Sequence, residues 1–130
     1  MKDIYYQLLE DIRLTAWCAS LSGYDAYVCT SCAKYVRSLY PQNTKIIGFA
    51  SWDNPEALLS RAQDGHDFAI IEDRYIVDIW AVDIESASLH KVLDLRNPTH
   101  QEIILSLYGD KAAWFELVSN NWISYEQEAR

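Results

Sequence analysis

The chain has 130 residues, of which 50% are apolar and 13% aromatic, so it can bury enough surface to offset its chain entropy, and intrinsic disorder is excluded. Its formal net charge of -8, from 11 Lys and Arg against 19 Asp and Glu, repels phosphate backbones, so neither nucleic-acid binding nor a polybasic membrane patch is expected. The longest uncharged apolar runs are far shorter than the ~20 residues of a membrane-spanning helix.

The length predicts a single domain over residues 1–130. The cysteines are Cys18, Cys29 and Cys32, an odd number that cannot all pair within one chain. A disulfide scaffold is therefore not expected, and a reducing compartment fits best. The N-terminal segment is charged and amphipathic and has no hydrophobic region of the signal-peptide type, so we expect no classical export and a cytoplasmic location.

Two helices are predicted in the first forty residues. Apolar residues recur at the helical period over 2–20, with charged residues on the other face. The same period recurs over Cys29–Leu39, and Pro41 ends that second helix because proline cannot continue it.

The rest of the chain predicts a small antiparallel sheet between helices. In chain order we expect a strand at 45–50, a helix at 54–63, strands at 67–71, 75–83 and 92–95, and helices at 97–108 and 113–118. Helices at both ends with strands in the middle predict the α+β class.

The two central strands predict a β-hairpin whose loop is the polar triplet 72–74. With this three-residue loop Phe68 faces Asp78 and His66 faces Trp80, so His66 and Asp78 lie diagonally on one face of the hairpin. A two-residue loop would place them on opposite faces. The absence of Asn-Gly or Asp-Gly at the tip favours the longer loop.

Cys29 lies where a loop turns into the second helix. The partial positive charge and unpaired N–H groups of a helix N-terminus favour the thiolate, which is the nucleophilic form of cysteine. A single cysteine is more often an inert buried residue, so Cys29 alone does not indicate catalysis. Cys32, one turn further along, is predicted to lie on the buried face.

His66 is the best candidate for a base near that thiol, because it opens a strand directly after Gly65 in an apolar context. His90 and His100 have polar neighbours and are predicted to lie at the surface. Asp78 interrupts an apolar run, and a buried carboxylate is costly unless it is paired. The three residues Cys29, His66 and Asp78 therefore form a candidate nucleophile, base and orienting group.

Three segments carry a resemblance to a known superfamily. Residues 29–33 resemble a nucleophile helix in which a small residue, here Ala33, follows the cysteine by four positions. Residues 65–71 resemble the histidine strand and 75–80 the aspartate strand of the same superfamily. Over residues 23–83 the chain resembles the papain-like and transglutaminase-like cysteine enzymes.

This resemblance implies a papain-like core, in which an N-terminal nucleophile helix packs on a small antiparallel sheet and is flanked by helices. It implies that Cys29 is the nucleophile, His66 the base and Asp78 the orienting group, with Cys32 left open as the alternative nucleophile. In size the chain is most similar to bacterial papain-fold toxin and effector domains, several of which are protein glutamine deamidases and others peptidases.

The resemblance therefore implies hydrolysis of an amide in a protein substrate, most directly glutamine deamidation, without a metal or organic cofactor. Proteolysis, and transglutamination if an amine replaces water, are left open. It also implies a cognate inhibitor or immunity protein as a partner, and delivery into a target cell by a specialised secretion system as an alternative location. One departure concerns the oxyanion. The glutamine that often precedes the nucleophile is missing, so the Cys29 N–H needs a second donor from the backbone at 25–27 or from a tyrosine hydroxyl.

Two other functions fit parts of the pattern. Cys29-x-x-Cys32 has the spacing of half a structural zinc site, but the other half is missing, and Cys18 and His66 would complete it only if the fold happened to bring them there. A non-catalytic acidic module, such as an immunity or adaptor protein that binds a basic toxin, fits the net charge. In such a module His66 need not approach Cys29.

Overall fold

The fold is described from a computed structural model, which covers residues 3–61 and 64–118. The helices are α1 (Ile4–Glu10), α2 (Ala16–Leu21), α3 (Cys29–Leu39), α4 (Ile79–Asp83) and α5 (Pro98–Tyr108). The strands are β1 (Thr44–Ala50), β2 (Gly65–Ile71), β3 (Tyr75–Val77), β4 (Val92–Asp94) and β5 (Phe115–Glu116). None of these helices combines the length and apolar character that a bilayer-spanning helix needs.

The strands form one antiparallel sheet in the order β4-β3-β2-β1-β5. Every residue of the central strand β2 is buried, because helices cover both faces of the sheet. α3 covers the face from which Asp67 projects, where Thr30 donates to that carboxylate. α5 covers the opposite face, where the ring of Tyr108 lies 4.6 Å from that of Phe68. The predicted α+β class, with a small antiparallel sheet flanked by helices, is confirmed.

The hairpin has the predicted register but a shorter second strand. β2 and β3 pair through Ala69↔Val77 and Ile71↔Tyr75 around the loop 72–74, which confirms the three-residue loop. The predicted strand at 75–83 is wrong beyond Val77. There the Asp78 side chain accepts the N–H of Ala81 and begins α4, as short acidic side chains do at helix N-termini.

The single helix predicted at 2–20 is wrong, because it is two helices separated by residues 11–15. The Asp11 carboxylate accepts the backbone N–H of Arg13 at 3.0 Å and its side-chain Nε at 2.9 Å. Thr15 then accepts the N–H of Cys18 and starts α2. These local side-chain bonds compete with the helical hydrogen bonds. Residue 2 lies outside the described part of the chain.

The helix predicted at 54–63 is also wrong: residues 55–57 form turns and Leu58–Arg61 a short 3-10 helix. The Asn54 side chain does not cap a helix, because it donates to the carbonyl of Tyr108 at 2.7 Å and accepts the N–H of Asp110 at 3.1 Å. Asn54 thus ties this segment to the end of α5. Residues 62 and 63 lie outside the described part.

The helix predicted at 113–118 is replaced by a 3-10 turn at Lys111–Ala113 and by β5. β5 pairs with β1 through Gly48↔Phe115, and the N–H of Leu117 donates to the Ile46 carbonyl at 2.8 Å. An open sheet edge offers unpaired backbone groups to any segment that reaches it. Here the hydrogen bonds to β1 stabilise a strand, although the spacing of the apolar residues favours a helix. The strands at 45–50 and 92–95 and the helix at 97–108 are confirmed within one residue.

Candidate active site

Cys29 lies at the start of α3, against an open edge of β2. β3 pairs with β2 only from Ala69 onward, so among the described residues no strand pairs with the first half of β2 on this side. The backbone N–H of Asp67 donates to the Cys29 Sγ at 3.4 Å there. The thiol therefore lies beside this part of β2 and receives a hydrogen bond that favours its charged form.

The first turn of α3 is fastened to β2 by a second contact. The hydroxyl of Thr30 donates to the carboxylate of Asp67 at 2.5 Å, and both residues are buried. α3 is 11 residues long and has no acidic residue of its own in its first turn, so its partial positive charge acts on Cys29 and on the Asp67 carboxylate beside it. Neither Thr30 nor Asp67 was predicted as part of the site, because nothing local in the sequence links them.

The imidazole of His66 is completely buried among aromatic rings. It stacks on Phe68 at 5.7 Å between ring centroids and lies 5.1 Å from Trp80, 5.9 Å from Tyr108 and 6.2 Å from Phe49. Close packing on several sides fixes the ring orientation. His66 is therefore a side chain that its neighbours hold in one position.

The His66 ring lies close to both the Asp78 carboxylate and the Cys29 thiol. Its Nε2 is 2.6 Å from Asp78 Oδ2. Burial acts to lower the pKa of His66, but the charge and hydrogen bond of Asp78, together with the Cys29 thiol, raise it well above its usual 6.5. Within the described residues, Nδ1 has no hydrogen-bond partner of normal geometry. Nδ1 is thus the nitrogen left for proton exchange with sulfur or substrate.

The Asp78 carboxylate accepts three hydrogen bonds. Oδ1 accepts the N–H of Ala81 at 3.0 Å, and Oδ2 lies close to His66 and accepts the hydroxyl of Tyr108 at 2.8 Å. Burial, and then the charge and hydrogen bond of Asp78, raise the pKa of Tyr108 well above 10. Sequence reasoning missed Tyr108, because a tyrosine in a helical apolar pattern predicts only a core position.

The other two histidines lie away from this cluster. His90 is exposed, as predicted. His100 is half-buried, and its Nδ1 accepts the N–H of Asp94 at 2.9 Å. It is therefore a structural residue at the start of α5 rather than the surface residue that was predicted.

The thiol of Cys32 has a different environment from that of Cys29. It is buried and donates to the carbonyl of Ala26 at 3.3 Å, whereas the thiol that raises the pKa of His66 belongs to Cys29. In the described part of the chain no cluster of three or more His, Cys, Asp or Glu side chains is arranged to hold a metal ion. The zinc interpretation based on Cys18 and His66 thus gains no structural support.

The candidate site is closed to solvent. Cys29, His66 and Asp78 are 1%, 0% and 3% exposed, and Trp80, which packs on the imidazole, donates its indole N–H to the Tyr27 carbonyl at 3.0 Å. The loop 24–28 is thereby fastened beside the thiol. A substrate reaches Cys29 only when part of this cover moves.

Tyr27, one of the predicted second oxyanion donors at 25–27, has its N–H engaged elsewhere, and so does the neighbouring Val28. The N–H of Tyr27 donates to the Asp25 carboxylate at 3.0 Å, and the N–H of Val28 donates to the Asp25 carbonyl at 3.1 Å. Rearrangement of this loop would be needed to turn either group toward a reacting carbonyl.

Comparisons of the chain with protein-family models, with curated proteins and with solved structures found no match. The candidate site is therefore interpreted from its own geometry.

Proposed function

We propose that this protein is a cysteine-dependent amide hydrolase with a papain-like arrangement, in which Cys29 is the nucleophile, His66 the acid and base, and Asp78 the orienting group. The observation that carries the proposal is the buried imidazole of His66, which lies 2.6 Å from a carboxylate oxygen and close enough to the Cys29 thiol for the thiol to raise its pKa. Each of these three ionisable groups costs free energy to bury, and a well-packed apolar cluster would often be at least as stable, so their presence favours a functional role. A nucleophile, a base and an orienting carboxylate need this order.

The proposed reaction uses one proton carrier. The sulfur of Cys29 attacks the amide carbonyl carbon while His66 holds the thiol proton. The C–N bond then breaks as His66 donates that proton to the leaving nitrogen, and a thioester remains. His66 next takes a proton from water as the water oxygen attacks the thioester, and it returns this proton to sulfur when the acid product leaves. Asp78 orients the ring and stabilises the imidazolium.

Among amides, a glutamine side chain is the substrate that we propose first. A peptide bond must enter a cleft together with the chain on both sides of it, whereas a glutamine amide stands at the end of a thin flexible stem. Cys29 is only 1% exposed, which favours the narrower group. The products are ammonia and a glutamate side chain, and the partner is a protein that presents a glutamine.

The acidic binding module remains the second candidate, and the burial of Cys29 and His66 favours it. In that case the cluster only holds α3, β2 and α4 together. A net charge of -8 would then speed the encounter with a basic partner. The two functions differ in one measurable property, which is the dependence of Cys29 reactivity on His66.

The deciding experiment is alkylation of each cysteine by iodoacetamide between about pH 5 and pH 9, followed by peptide mass spectrometry. We expect Cys29 to react well below the usual thiol midpoint of about pH 8.5. His66→Gln, which keeps the volume but cannot titrate, should lower its rate near pH 6.5 about tenfold or more. Cys18, half-buried in the same chain, serves as the internal reference.

The matched control is His90→Gln, because His90 is exposed and lies away from the thiol. Its profile should equal that of the wild type. Slow labelling of Cys29 with a midpoint near 8.5, unchanged by His66→Gln, contradicts the catalytic proposal and favours the binding module. If the catalytic profile is found, ammonia release from glutamine-containing proteins against peptide-bond cleavage separates deamidation from proteolysis.

A further inference from the structure

Tyr108 shares one carboxylate oxygen with the candidate base. Its hydroxyl donates to Asp78 Oδ2 at 2.8 Å, and the Nε2 of His66 lies 2.6 Å from that same oxygen. Tyr108 and Asp78 are 30 positions apart in the chain, and Tyr108 is the last residue of α5. The fold therefore brings a second donor to the carboxylate that orients His66.

The hydroxyl of Tyr108 is held rigidly. The backbone carbonyl of Tyr108 accepts hydrogen bonds from the Asn54 side chain at 2.7 Å and from the indole N–H of Trp114 at 3.0 Å. Its ring is 0% exposed and packs on Phe68 at 4.6 Å. Any displacement of the ring would have to disturb these contacts, so the hydroxyl oxygen stays within hydrogen-bond distance of Asp78.

This inference rests on the proposed function: we propose that Tyr108 is a positioning residue that shares the Asp78 carboxylate with His66 and so makes it easier for the imidazolium to give up its proton. The negative charge of the carboxylate holds the proton on the imidazole. A second donor on the same carboxylate oxygen offsets part of that charge and weakens this hold. The ring can then release the proton to the leaving nitrogen.

The remaining titratable groups around His66 do not replace this role. Among the described residues they are Cys29 at the start of α3 and Asp67, the next residue on β2, whose carboxylate accepts the Thr30 hydroxyl. Cys29 contributes to the pKa of His66 directly. Tyr108 acts on His66 through Asp78, so its effect is expected in the titration of the imidazole.

The test is Tyr108→Phe, with NMR titration of the His66 ring as the main measurement. Loss of the hydroxyl leaves more charge on Oδ2, so His66 should stay protonated to higher pH. We expect about a threefold rise in the imidazolium-to-imidazole ratio, which is an upward shift of about half a pH unit. The high-pH part of the Cys29 alkylation profile should shift to higher pH by the same amount.

The control is Tyr35→Phe. Tyr35 is also buried, at 3% exposed, but its hydroxyl donates to the Arg13 carbonyl, away from the site. Both substitutions remove one buried hydroxyl, so a loss of stability common to the two is a packing effect. A His66 titration in Tyr108→Phe that coincides with that of Tyr35→Phe would overturn the inference.

The outcome remains separable from that of the proposed function. If the alkylation rate of Cys29 is the same in the wild type and in His66→Gln, the hydrolase proposal fails. The His66 titration still decides whether Tyr108 controls the Asp78–His66 pair. If Tyr108→Phe does not fold, the wild type decides: a slowly exchanging Tyr108 hydroxyl proton with a cross-peak to the His66 ring supports the inference, and absence of that proton overturns it.

Discussion

Two clusters of this protein combine a carboxylate, a tyrosine hydroxyl and a cationic partner, at different depths. In the buried cluster, Asp78 accepts hydrogen bonds from Tyr108 and pairs with His66. All three residues are at most 3% exposed. The three residues lie on separate elements: Tyr108 on α5, His66 on β2 and Asp78 at the start of α4.

The surface cluster lies beside the tip of the β2–β3 hairpin. Arg74 donates through Nε and a terminal nitrogen to both carboxylate oxygens of Asp94, at 2.8 and 2.9 Å. The neighbouring Tyr75 hydroxyl donates to Asp3. These bonds tie the N-terminal segment and β4 to the hairpin.

The difference lies in the cation. Arginine keeps its proton at all accessible pH values, so the surface cluster can only hold segments together. A histidine can release and recover a proton, and His66 also borders the Cys29 thiol. Burial makes the inner cluster expensive to disrupt, whereas water screens the outer one.

The largest difference between the clusters is expected from removing their carboxylates. Asp78→Ala leaves His66 and Tyr108 buried without their acceptor, so we expect a loss of about 3–5 kcal/mol in the free energy of unfolding. Urea denaturation of the Asp78→Ala and Asp94→Ala variants measures the loss in the free energy of unfolding for each cluster. Equal losses in the two variants would contradict the distinction between the clusters.

A smaller difference is expected in the response to high pH. The pKa of His66 is raised in the fold, so its stabilisation is complete below the unfolded value of about 6.5 and is lost as pH rises through the folded value. Between these two values the free energy of unfolding should fall by about 1.4 kcal/mol per pH unit. The measurement is urea denaturation at several pH values, and His66→Gln should remove this slope.

The surface cluster should respond at the acid end instead. The hydrogen bonds of Arg74 lower the pKa of Asp94 below 3.8, so its stabilisation is present above that value and is lost as pH falls through the folded pKa. Arg74→Ala should destabilise the protein much less than Asp78→Ala, and the difference from wild type should vanish in high salt. Thermal unfolding at low and high salt tests this, and a salt-independent loss would mean that Arg74 acts by packing.

Several parts of the site could be predicted from local patterns. The helical period located α3 and put Cys29 at its start, and the polar loop 72–74 gave the register that carries His66 and Asp78 to one region. Both depend on neighbours only a few residues away. The prediction of a strand through Asp78 was wrong, because the Asp78 side chain caps α4 and ends the strand. The alternation of apolar and polar residues carries no information about such a cap.

The missed parts depend on distant partners. Tyr108 reaches Asp78, and the segment around Leu117 reaches the edge of β1. Asn54 caps no helix because its side chain is engaged at the end of α5. In each case a backbone or side-chain group forms a hydrogen bond with a residue far along the chain, and the local sequence pattern cannot indicate that residue.

By itself the sequence determined the α+β class, the bounds of α3 and the register of the hairpin, since these follow from the spacing of apolar residues and from turn chemistry. Only the tertiary structure decided that the His66 ring is buried close to both Asp78 and Cys29, that Tyr108 shares the carboxylate, and that the thiol is covered. Burial and pairing of polar groups are properties of the assembled core, because they require partners from different elements to meet in the absence of water.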